Sequence, residues 1–438
     1  MKGRDTFYRI DYPLVISMML LIVMGILMIY SAGFDPIDRT NTGLYKKQIL
    51  WFIFGFVIMI GITYVNYQQI GDYSLYIYCI LLFVLVITTL FGKSVRNTKA
   101  WLNFGFFSIQ PSEFMKLGLV IILGKYLELR ERDMGRFREL MIPALLTLVP
   151  VLVILKQPDF GTAIIFIPIL FTMLFVGGAD VSHLIGIISI AAIAMFVPML
   201  LTYREWVGAE GSNFILDFFK DINLIAIVSS VLLVVSIGSY IFYLITNNKF
   251  VRRIYIPGTV LSMGLLLSFA IQKLFKDYQK KRILVFLNPD LDPHGSGYNI
   301  IQSKIAIGSG GFVGKGFASG SQAQLGFLPE KFSDFIFSMV SEEFGFIGAV
   351  IMLGLFIIII YKGIQISFES KDKFGALLAS GITSIFFFHV FVNIGMAVGI
   401  MPVTGLPLSF VSYGGSNLLM CMMAIGILNN ISMRKFVY

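Results

Sequence analysis

Twelve apolar runs follow one another along the chain, and each is long enough, or nearly long enough, to cross a lipid bilayer. A membrane-spanning helix needs about 20 predominantly apolar residues, with a range of roughly 17–25. The runs are continuous rather than alternating, which favours helices over the strands of a membrane barrel. They cover residues 14–33, 49–65, 74–91, 114–127, 141–155, 162–178, 183–202, 223–246, 254–274, 335–361, 374–399 and 406–428. The sequence therefore predicts an all-α polytopic membrane protein with about twelve transmembrane helices.

Composition excludes a water-soluble protein. Charged residues make up 13% of the 438 residues and hydrophobic residues 57%, whereas a soluble domain carries about 25% charged residues. The net charge is +9, which in a membrane protein favours anionic partners such as lipid head groups or the pyrophosphate of a lipid-linked substrate. Nucleic acid is not expected, because the basic residues are scattered among loops and form no basic module.

The distribution of basic residues predicts the orientation, since Lys and Arg are more frequent in cytoplasmic loops. With a cytoplasmic N-terminus, basic residues fall inside at 2–9, 130–138, 249–253, 371–373 and 434–435. Both termini are then cytoplasmic. The long segment 275–334 lies outside, and loops of that length are usually functional.

An acidic residue stands at the edge of an apolar run in the segment 325–348, LGFLPEKFSDFIFSMVSEEFGFIG. Such a carboxylate is costly to hold unless it is solvated, paired or used. Asp334 is therefore either a general base at the outer membrane face or an acid that stabilises the first turn of a helix. Glu342 and Glu343 lie about 12 Å from Asp334 along a helix, which is too far for either to form a tight carboxylate pair with it. They are interpreted as packing or network acids.

Charged residues also begin two earlier runs. Glu113 and Lys116 in the string QPSEFMK (110–116) are three positions apart and share a helix face. They form either a structural ion pair or part of a wet cavity inside the protein. Asp159 in KQPDFGT (156–162) either begins the next helix or faces the same cavity.

Two glycine-rich segments flank the later runs. The run GSGGFVGKG (308–316) does not fit a P-loop. It is interpreted as a turn between short helices, although its backbone N–H groups and Lys315 would also suit a phosphate. The segment PVTGLPLSFVSYGGSN (402–417), which contains Ser416, predicts a broken or closely packed helix.

The cysteines and histidines predict no metal site. Cys79 and Cys421 both lie in apolar runs and are expected to be buried. His183, His294 and His389 are isolated, and no spacing among them is typical of metal ligands.

Taken together, these motifs resemble the SEDS family, and more narrowly its RodA-like branch. The LPE…DFIF, QPSE…K, QPDFGTA and SYGGS elements are typical of that family, and GYNIIQSKIAIGSGG (297–311) is typical of the branch. The family comprises polytopic glycosyltransferases that polymerise the lipid-linked precursor of bacterial peptidoglycan. The resemblance implies that Asp334 is the catalytic aspartate. It also implies that Glu113 and Lys116 line a substrate cavity beside it, with Asp159 a further candidate. Lys315 and Lys331 are added as basic candidates for that cavity, and Ser416 of SYGGS either lines it or only packs.

The sequence departs from the family pattern in three ways. Lys99-Ala100-Trp101 stands where two basic residues commonly precede the tryptophan. Phe332 and Ser333 stand where the family usually has His-Thr. The family also usually has ten spans, so residues 205–275 are interpreted as a two-helix insertion into a single transmembrane domain, followed by an extracytoplasmic catalytic loop at 275–334.

The resemblance implies glycan polymerisation from lipid II at the outer face of the cytoplasmic membrane during cell elongation. Asp334 would deprotonate the acceptor hydroxyl, which attacks the donor with inversion. Basic side chains, with or without Mg²⁺ or Mn²⁺, would stabilise the departing pyrophosphate. The implied partners are a class B penicillin-binding protein and other membrane proteins of the elongation complex. A flippase for the lipid-linked precursor and a non-catalytic scaffold are the alternatives.

Overall fold

The computed structural model describes residues 10–35, 40–95, 98–105, 107–207, 222–246, 248–274 and 296–435. The helices are α1 Tyr12–Gly33, α2 Leu44–Tyr64, α3 Tyr67–Asp72, α4 Ser74–Phe91, α5 Pro111–Leu129, α6 Met141–Lys156, α7 Phe160–Val176, α8 Val181–Val207, α9 Ile222–Thr246, α10 Lys249–Leu274, α11 Ser296–Ser309, α12 Ser321–Gln324, α13 Ile336–Glu369, α14 Lys373–Val398 and α15 Gly415–Arg434. The strands are β1 Phe34–Asp35, β2 Thr40–Asn41, β3 Lys93–Val95, β4 Thr98–Asn103 and β5 Ser108–Ile109. The strands form two small antiparallel sheets in loops, β1 with β2, and β4 between β3 and β5.

The described residues confirm the all-α polytopic class. Nine of their helices are long and apolar enough to cross a membrane, and α7 and the Ile254–Phe269 part of α10 are shorter apolar stretches. Each of the twelve predicted runs lies on one long helix of the described part. The run 406–428 differs at its start, because the helix begins only at Gly415 and Phe410 adopts a left-handed φ of +66° that a helix does not accommodate.

One compact unit comprises residues 1–179 and 299–438. In it α14 packs against α13, α7 and α5, and α15 packs against α2. The most apolar stretches of α14 and α15 are 78% and 94% buried, whereas those of α2 and α4 are 22% buried. The exposed faces of α2 and α4 carry apolar side chains such as Phe54 and Phe83, as lipid-facing helices do.

The cysteine prediction is half correct. Cys421 is buried on α15, but Cys79 is exposed on α4. The correction has a simple cause: the outward face of α4 is apolar, so an apolar thiol there needs no burial in protein.

Three spans of this first unit begin at an aspartate side-chain cap. The carboxylates of Asp11, Asp159 and Asp372 accept hydrogen bonds from the backbone N–H of the residue three positions on, at 3.1–3.3 Å. Such caps satisfy backbone donors that a helix start leaves unpaired. They also fix where α1, α7 and α14 begin.

Helix α13 is interrupted at Gly345, whose φ of 64° and ψ of −160° are not helical. The glycine-rich residues 310–316, here called the glycine loop, lie against this break. A Cβ at Gly310 would stand 1.9 Å from the carbonyl oxygen of Ser341, and one at Gly345 would stand 2.4 Å from the backbone nitrogen of Gly314. Glycine is therefore required on both sides of the contact.

The glycine loop also satisfies the backbone groups that the break frees. The N–H groups of Lys315 and Gly316 donate to the carbonyls of Glu342 and Glu343 at 3.0 and 2.9 Å. In return, the N–H of Phe346 donates to the Gly311 carbonyl at 3.0 Å. Irregular backbone at membrane depth is tolerated only where protein or a wet cavity satisfies it, and the loop supplies those partners.

The second compact unit comprises residues 180–298. Within it α10 packs against both α8 and α9. Its described core is small, with Val197, Ile225 and Leu265 at the centre. A Cβ at Gly264 would meet Ile193 at 2.8 Å, so α8 and α10 approach closely at a glycine, as membrane helices often do.

The predicted domain boundaries stay predictions. Residues 208–221 of the expected insertion at 205–275 lie outside the described residues, as do residues 275–295 of the expected catalytic loop and His294 within them. The described remainder of that loop contains α11, the glycine loop and α12.

Candidate active site

Asp334 lies in a tight turn just before α13. The carbonyl oxygen of Glu330 accepts hydrogen bonds from the N–H groups of Ser333 and Asp334, both at 3.1 Å. Glu330 itself adopts a positive φ of 52°. A non-glycine residue in this region persists only where its surroundings fix it, which is common at functional sites. The Asp334 residue is partly exposed, whereas the next residue, Phe335, is buried.

The segment 402–414, here called the clamp loop, holds this turn from one side. The side-chain hydroxyl of Ser412 donates to the Ser333 carbonyl at 2.5 Å, and the N–H of Tyr413 donates to the Phe332 carbonyl at 2.8 Å. The glycine-rich SYGGS element therefore has a positioning contact with the Asp334 turn.

Asn393 on α14 ties the Asp334 turn to the clamp loop. Its Nδ2 group donates to the carbonyl of Asp334 at 2.9 Å and to the carbonyl of Leu406 at 2.7 Å. The Asp334 side chain points at the same loop, because its Oδ2 lies 3.6 Å from where a Cβ on Gly405 would stand. The main chain of Asp334 is thus fixed while its carboxylate faces Gly405.

Glu113 and Lys116 form a buried ion pair on α5. The Lys116 ammonium donates to both carboxylate oxygens of Glu113, at 3.0 and 2.9 Å, and the two residues are 2% and 0% exposed. The same ammonium lies 2.9 Å from Nε2 of His389 on α14. Nδ1 of His389 lies 3.1 Å from the Pro407 carbonyl in the clamp loop. The ion pair therefore reaches the clamp loop through one imidazole ring.

Asp159 caps α7 and also joins this region. It accepts from the N–H and the hydroxyl of Thr162 at 3.1 and 2.8 Å, and from the side-chain amide of Gln110 at 2.7 Å. The backbone N–H of Gln110 donates in turn to the hydroxyl of Ser416 at 2.9 Å. The interpretation of Asp159 as a helix start is confirmed. Its place in the cavity stays a prediction, and it shares a polar chain with Ser416.

The start of α7 touches the clamp loop directly. A Cβ at Gly161 would stand 2.3 Å from the carbonyl oxygen of Thr404. The clamp loop therefore contacts α7 at residue 404, Asp334 at residue 405, Asn393 at residue 406 and His389 at residue 407.

Lys315 is engaged elsewhere. Its ammonium donates to Oε1 of Glu342 at 2.8 Å and to the Ser321 hydroxyl at 2.7 Å. Glu343 accepts from the Ser31 hydroxyl, and from the N–H of Ala318 at 3.2 Å. Glu342 therefore links the glycine loop to the first part of α13, and Glu343 links that part of α13 to Ser31 on α1 and to Ala318.

Lys331 lies in the turn with Asp334 and is half-buried. Burial lowers the pKa of its ammonium, and the charge of Asp35 opposes that shift. Its Nζ lies 5.6 Å from the centroid of the Phe332 ring, within reach of a cation–π contact.

The structure therefore joins Asp334, Glu113 and Lys116 through the clamp loop and places Asp159 and Ser416 beside the same loop. The roles predicted for these residues and for Lys315 and Lys331 stay predictions. The sequence analysis gave His389 and Asn393 no place at this site, since a lone histidine or asparagine in an apolar run has no spacing signal. Only the PVTGLPLSFVSYGGSN segment (402–417) indicated that a non-helical loop lies close to this site.

Within the described residues, the acidic and imidazole side chains do not by themselves form a divalent-cation site. Among the described residues, no three His, Cys, Asp or Glu side chains cluster closely enough to hold a metal ion. Glu113 is neutralised by Lys116, and Asp159 accepts from Gln110 and Thr162. No chemical step is therefore assigned to a bound cation.

Lipid-facing helices around a buried ion pair, together with an acidic turn held at a helix start, define a multi-pass membrane protein with a polar site inside its helix bundle. The profile of the FtsW/RodA/SpoVE family of cell cycle proteins matches residues 12–210 and 215–436. The chain belongs to this family.

Known proteins of similar sequence and structure agree. The peptidoglycan glycosyltransferase RodA of Treponema pallidum (strain Nichols) is 36% identical over 434 residues, covering 97% of this chain and 98% of that protein. The peptidoglycan glycosyltransferase MrdB of Escherichia coli (strain K12) is 32% identical over 432 residues, covering 98% and 96%. A chain from a solved structure, "Structural coordination of polymerization and crosslinking by a peptidoglycan synthase complex", matches with a TM-score of 0.68 at 26% identity, covering 98% of this chain and 99% of that chain.

Proposed function

We propose that this protein is a peptidoglycan glycosyltransferase that polymerises lipid II into glycan strands during cell elongation. Relatives that align along nearly the whole chain carry that activity in their names. The observation that carries the chemical proposal is the Asp334 turn. Its backbone is held by Glu330, Asn393 and the clamp loop, and the Asp334 residue itself is partly exposed.

Asp334 is the proposed general base. It takes the proton from the acceptor sugar hydroxyl of lipid II, whose oxygen forms the new glycosidic bond to the anomeric carbon of the donor strand. The bond from that carbon to the undecaprenyl pyrophosphate breaks, and the pyrophosphate leaves with the electron pair, with inversion at carbon. A base of this kind contributes roughly 10²- to 10⁴-fold to the rate.

Three lysines are proposed to stabilise negative charge on the departing pyrophosphate. Lys331 lies in the Asp334 turn, and its buried ammonium would be favoured by an anionic neighbour. Lys116 reaches the clamp loop through His389. Lys315 is partly exposed at the glycine loop, where it is paired with Glu342. Preorganised positive charge of this kind acts where charge develops in the transition state.

The proposed setting is the bacterial cytoplasmic membrane. Both termini are cytoplasmic and the Asp334 turn faces outward, in keeping with the basic residues at 130–138 and 371–373. A class B penicillin-binding protein is the proposed partner. A solved synthase complex that coordinates polymerisation with crosslinking contains a chain of this fold. Other membrane proteins of the elongation complex are further proposed partners.

Purified full-length protein with fluorescent lipid II tests the proposal. We expect polymer from the wild type and a loss of roughly 10²-fold or more in Asp334→Asn, with an unchanged melting temperature. The matched control is Asp372→Asn, which also replaces an acid before a span but lies at the opposite end of α13. Normal polymerisation by Asp334→Asn refutes the role of the base. Translocation of lipid II without polymer favours a flippase instead.

A further inference from the structure

Two buried side chains on α14 lie between the Glu113–Lys116 ion pair and the Asp334 turn. His389 and Asn393 are four positions apart, so they project from one face of the helix. Both are 0% exposed. Polar side chains buried inside a membrane protein are usually retained for a function, and neither is explained by helix formation.

The neighbours of His389 fix its tautomer. The Lys116 ammonium has no lone pair to share, so Nε2 of His389 must accept from it over 2.9 Å. Nδ1 then carries the proton and donates to the Pro407 carbonyl over 3.1 Å. The His389 ring therefore links the Lys116 ammonium to the backbone of the clamp loop through one hydrogen bond on each side.

The neighbours of Asn393 fix its amide orientation in the same way. Nδ2 donates to the Asp334 and Leu406 carbonyls, and a reversed amide would turn its oxygen toward both acceptors. Oδ1 of Asn393 is buried and has no hydrogen-bond partner within the described part of the chain. A buried oxygen left unpaired carries a cost, which indicates that the residue is retained for its two donated bonds.

We propose that His389 and Asn393 are positioning residues that set Asp334 relative to Lys116. They hold consecutive carbonyls of the clamp loop, at Pro407 and Leu406, and Asn393 holds the Asp334 backbone as well. Loss of either bond lets the clamp loop and the Asp334 turn shift together. This inference rests on the proposed function, because the turn it positions is the proposed base.

The variants are chosen by hydrogen-bonding capacity. His389→Gln supplies one acceptor and one donor, whereas His389→Leu supplies neither. Asn393→Asp keeps the shape but replaces the donor with a second acceptor. The matched control is Thr383→Val, because Thr383 is a buried polar residue of α14 whose hydroxyl donates, among the described residues, to the Ala379 carbonyl of its own helix at 2.7 Å.

The first measurement is the steady-state kinetics of lipid II polymerisation by the full-length chain. We expect His389→Leu and Asn393→Asp to lower kcat by roughly 10- to 100-fold, with KM changed less than about threefold, since a misplaced base slows the chemical step rather than binding. His389→Gln should retain kcat within about threefold of the wild type, and Thr383→Val should match it. A merely structural role would instead lower the folded fraction and leave kcat per folded molecule unchanged.

The second measurement, amide hydrogen exchange of the peptide that contains residues 330–340, does not depend on activity. The amides of this peptide should exchange faster in Asn393→Asp and His389→Leu than in the wild type, and at the wild-type rate in Thr383→Val. If His389→Leu does not fold, His389→Gln decides: a folded Gln variant with kcat reduced tenfold overturns the inference. Unchanged exchange and kcat in Asn393→Asp also overturn it. A wild-type protein that makes no polymer refutes the proposed function, and the exchange rates still decide whether the two residues position the turn.

Discussion

The break in α13 makes one glycine substitution far more costly than another in the same helix. Gly345 has a positive φ of 64°, and an added Cβ there would stand 2.4 Å from the Gly314 nitrogen and 2.6 Å from the Phe312 carbonyl oxygen. Both of these are backbone atoms, which cannot rotate away as a flexible side chain can. Gly354 lies nine residues further along, and an added Cβ there would meet nothing within 4 Å.

The expected cost of Gly345→Ala is the sum of two effects. A non-glycine residue forced into this backbone conformation costs about 1–3 kcal/mol. Overpacking against fixed atoms costs about another 1–3 kcal/mol. Gly345→Ala should therefore lose about 2–6 kcal/mol, whereas Gly354→Ala in a regular helix should be neutral or gain up to about 1 kcal/mol.

Thermal unfolding of the purified protein in detergent, followed by the loss of soluble monomer, measures the difference. We expect the melting temperature of Gly345→Ala to fall by about 2–7 °C, and that of Gly354→Ala to stay within about 1 °C of the wild type or rise by that amount. Equal melting temperatures for the two variants would show that the glycine loop does not pack on the break as described, and the reasoning would fail.

Two further predictions concern the Asp334 turn and the clamp loop. Burial lowers the pKa of Lys331, so the charged ammonium makes the folded state less stable. This destabilisation is complete below the folded pKa and disappears as the pH rises from the folded pKa to the unfolded value of about 10.4. Lys331→Met should therefore melt higher than the wild type near pH 7, with the difference shrinking toward about pH 10; a constant difference contradicts this. Gly161→Ala should lower kcat about tenfold or more, because the added Cβ would stand 2.3 Å from the Thr404 carbonyl oxygen and push the clamp loop away. The control is Gly61→Ala, whose added Cβ meets nothing within 4 Å and which should polymerise normally. Equal rates for the two variants refute the contact between α7 and the clamp loop.

Local patterns were sufficient to predict the helices and some of the site. Apolar length alone predicted the spans, and the i, i+3 spacing of Glu113 and Lys116 predicted the pair that the structure shows at 2.9 Å. The open interpretation of Asp159 as the residue that begins a helix is confirmed by its bond to the N–H of Thr162. These features depend on neighbours within one helical turn, which a sequence displays directly.

Contacts between distant segments could not be predicted in this way. Lys116 and His389 are 273 positions apart, and Asn393 and Asp334 are 59 apart. The break at Gly345 lies inside the apolar run 335–361. The residues of that run do not indicate that the glycine loop packs against the break. The glycine run was interpreted as a turn, but its packing partner depends on how the helices assemble.

The order in which the chain is made gives the interruption of α13 a consequence for biogenesis. Residues 310–316 are synthesised before residue 345, so the ribosome delivers the loop before the segment that it completes. As the interrupted segment leaves the translocon, partners for its unpaired carbonyls are already close by along the nascent polypeptide. The interrupted segment can thus find these backbone partners without waiting for the last two spans to be made.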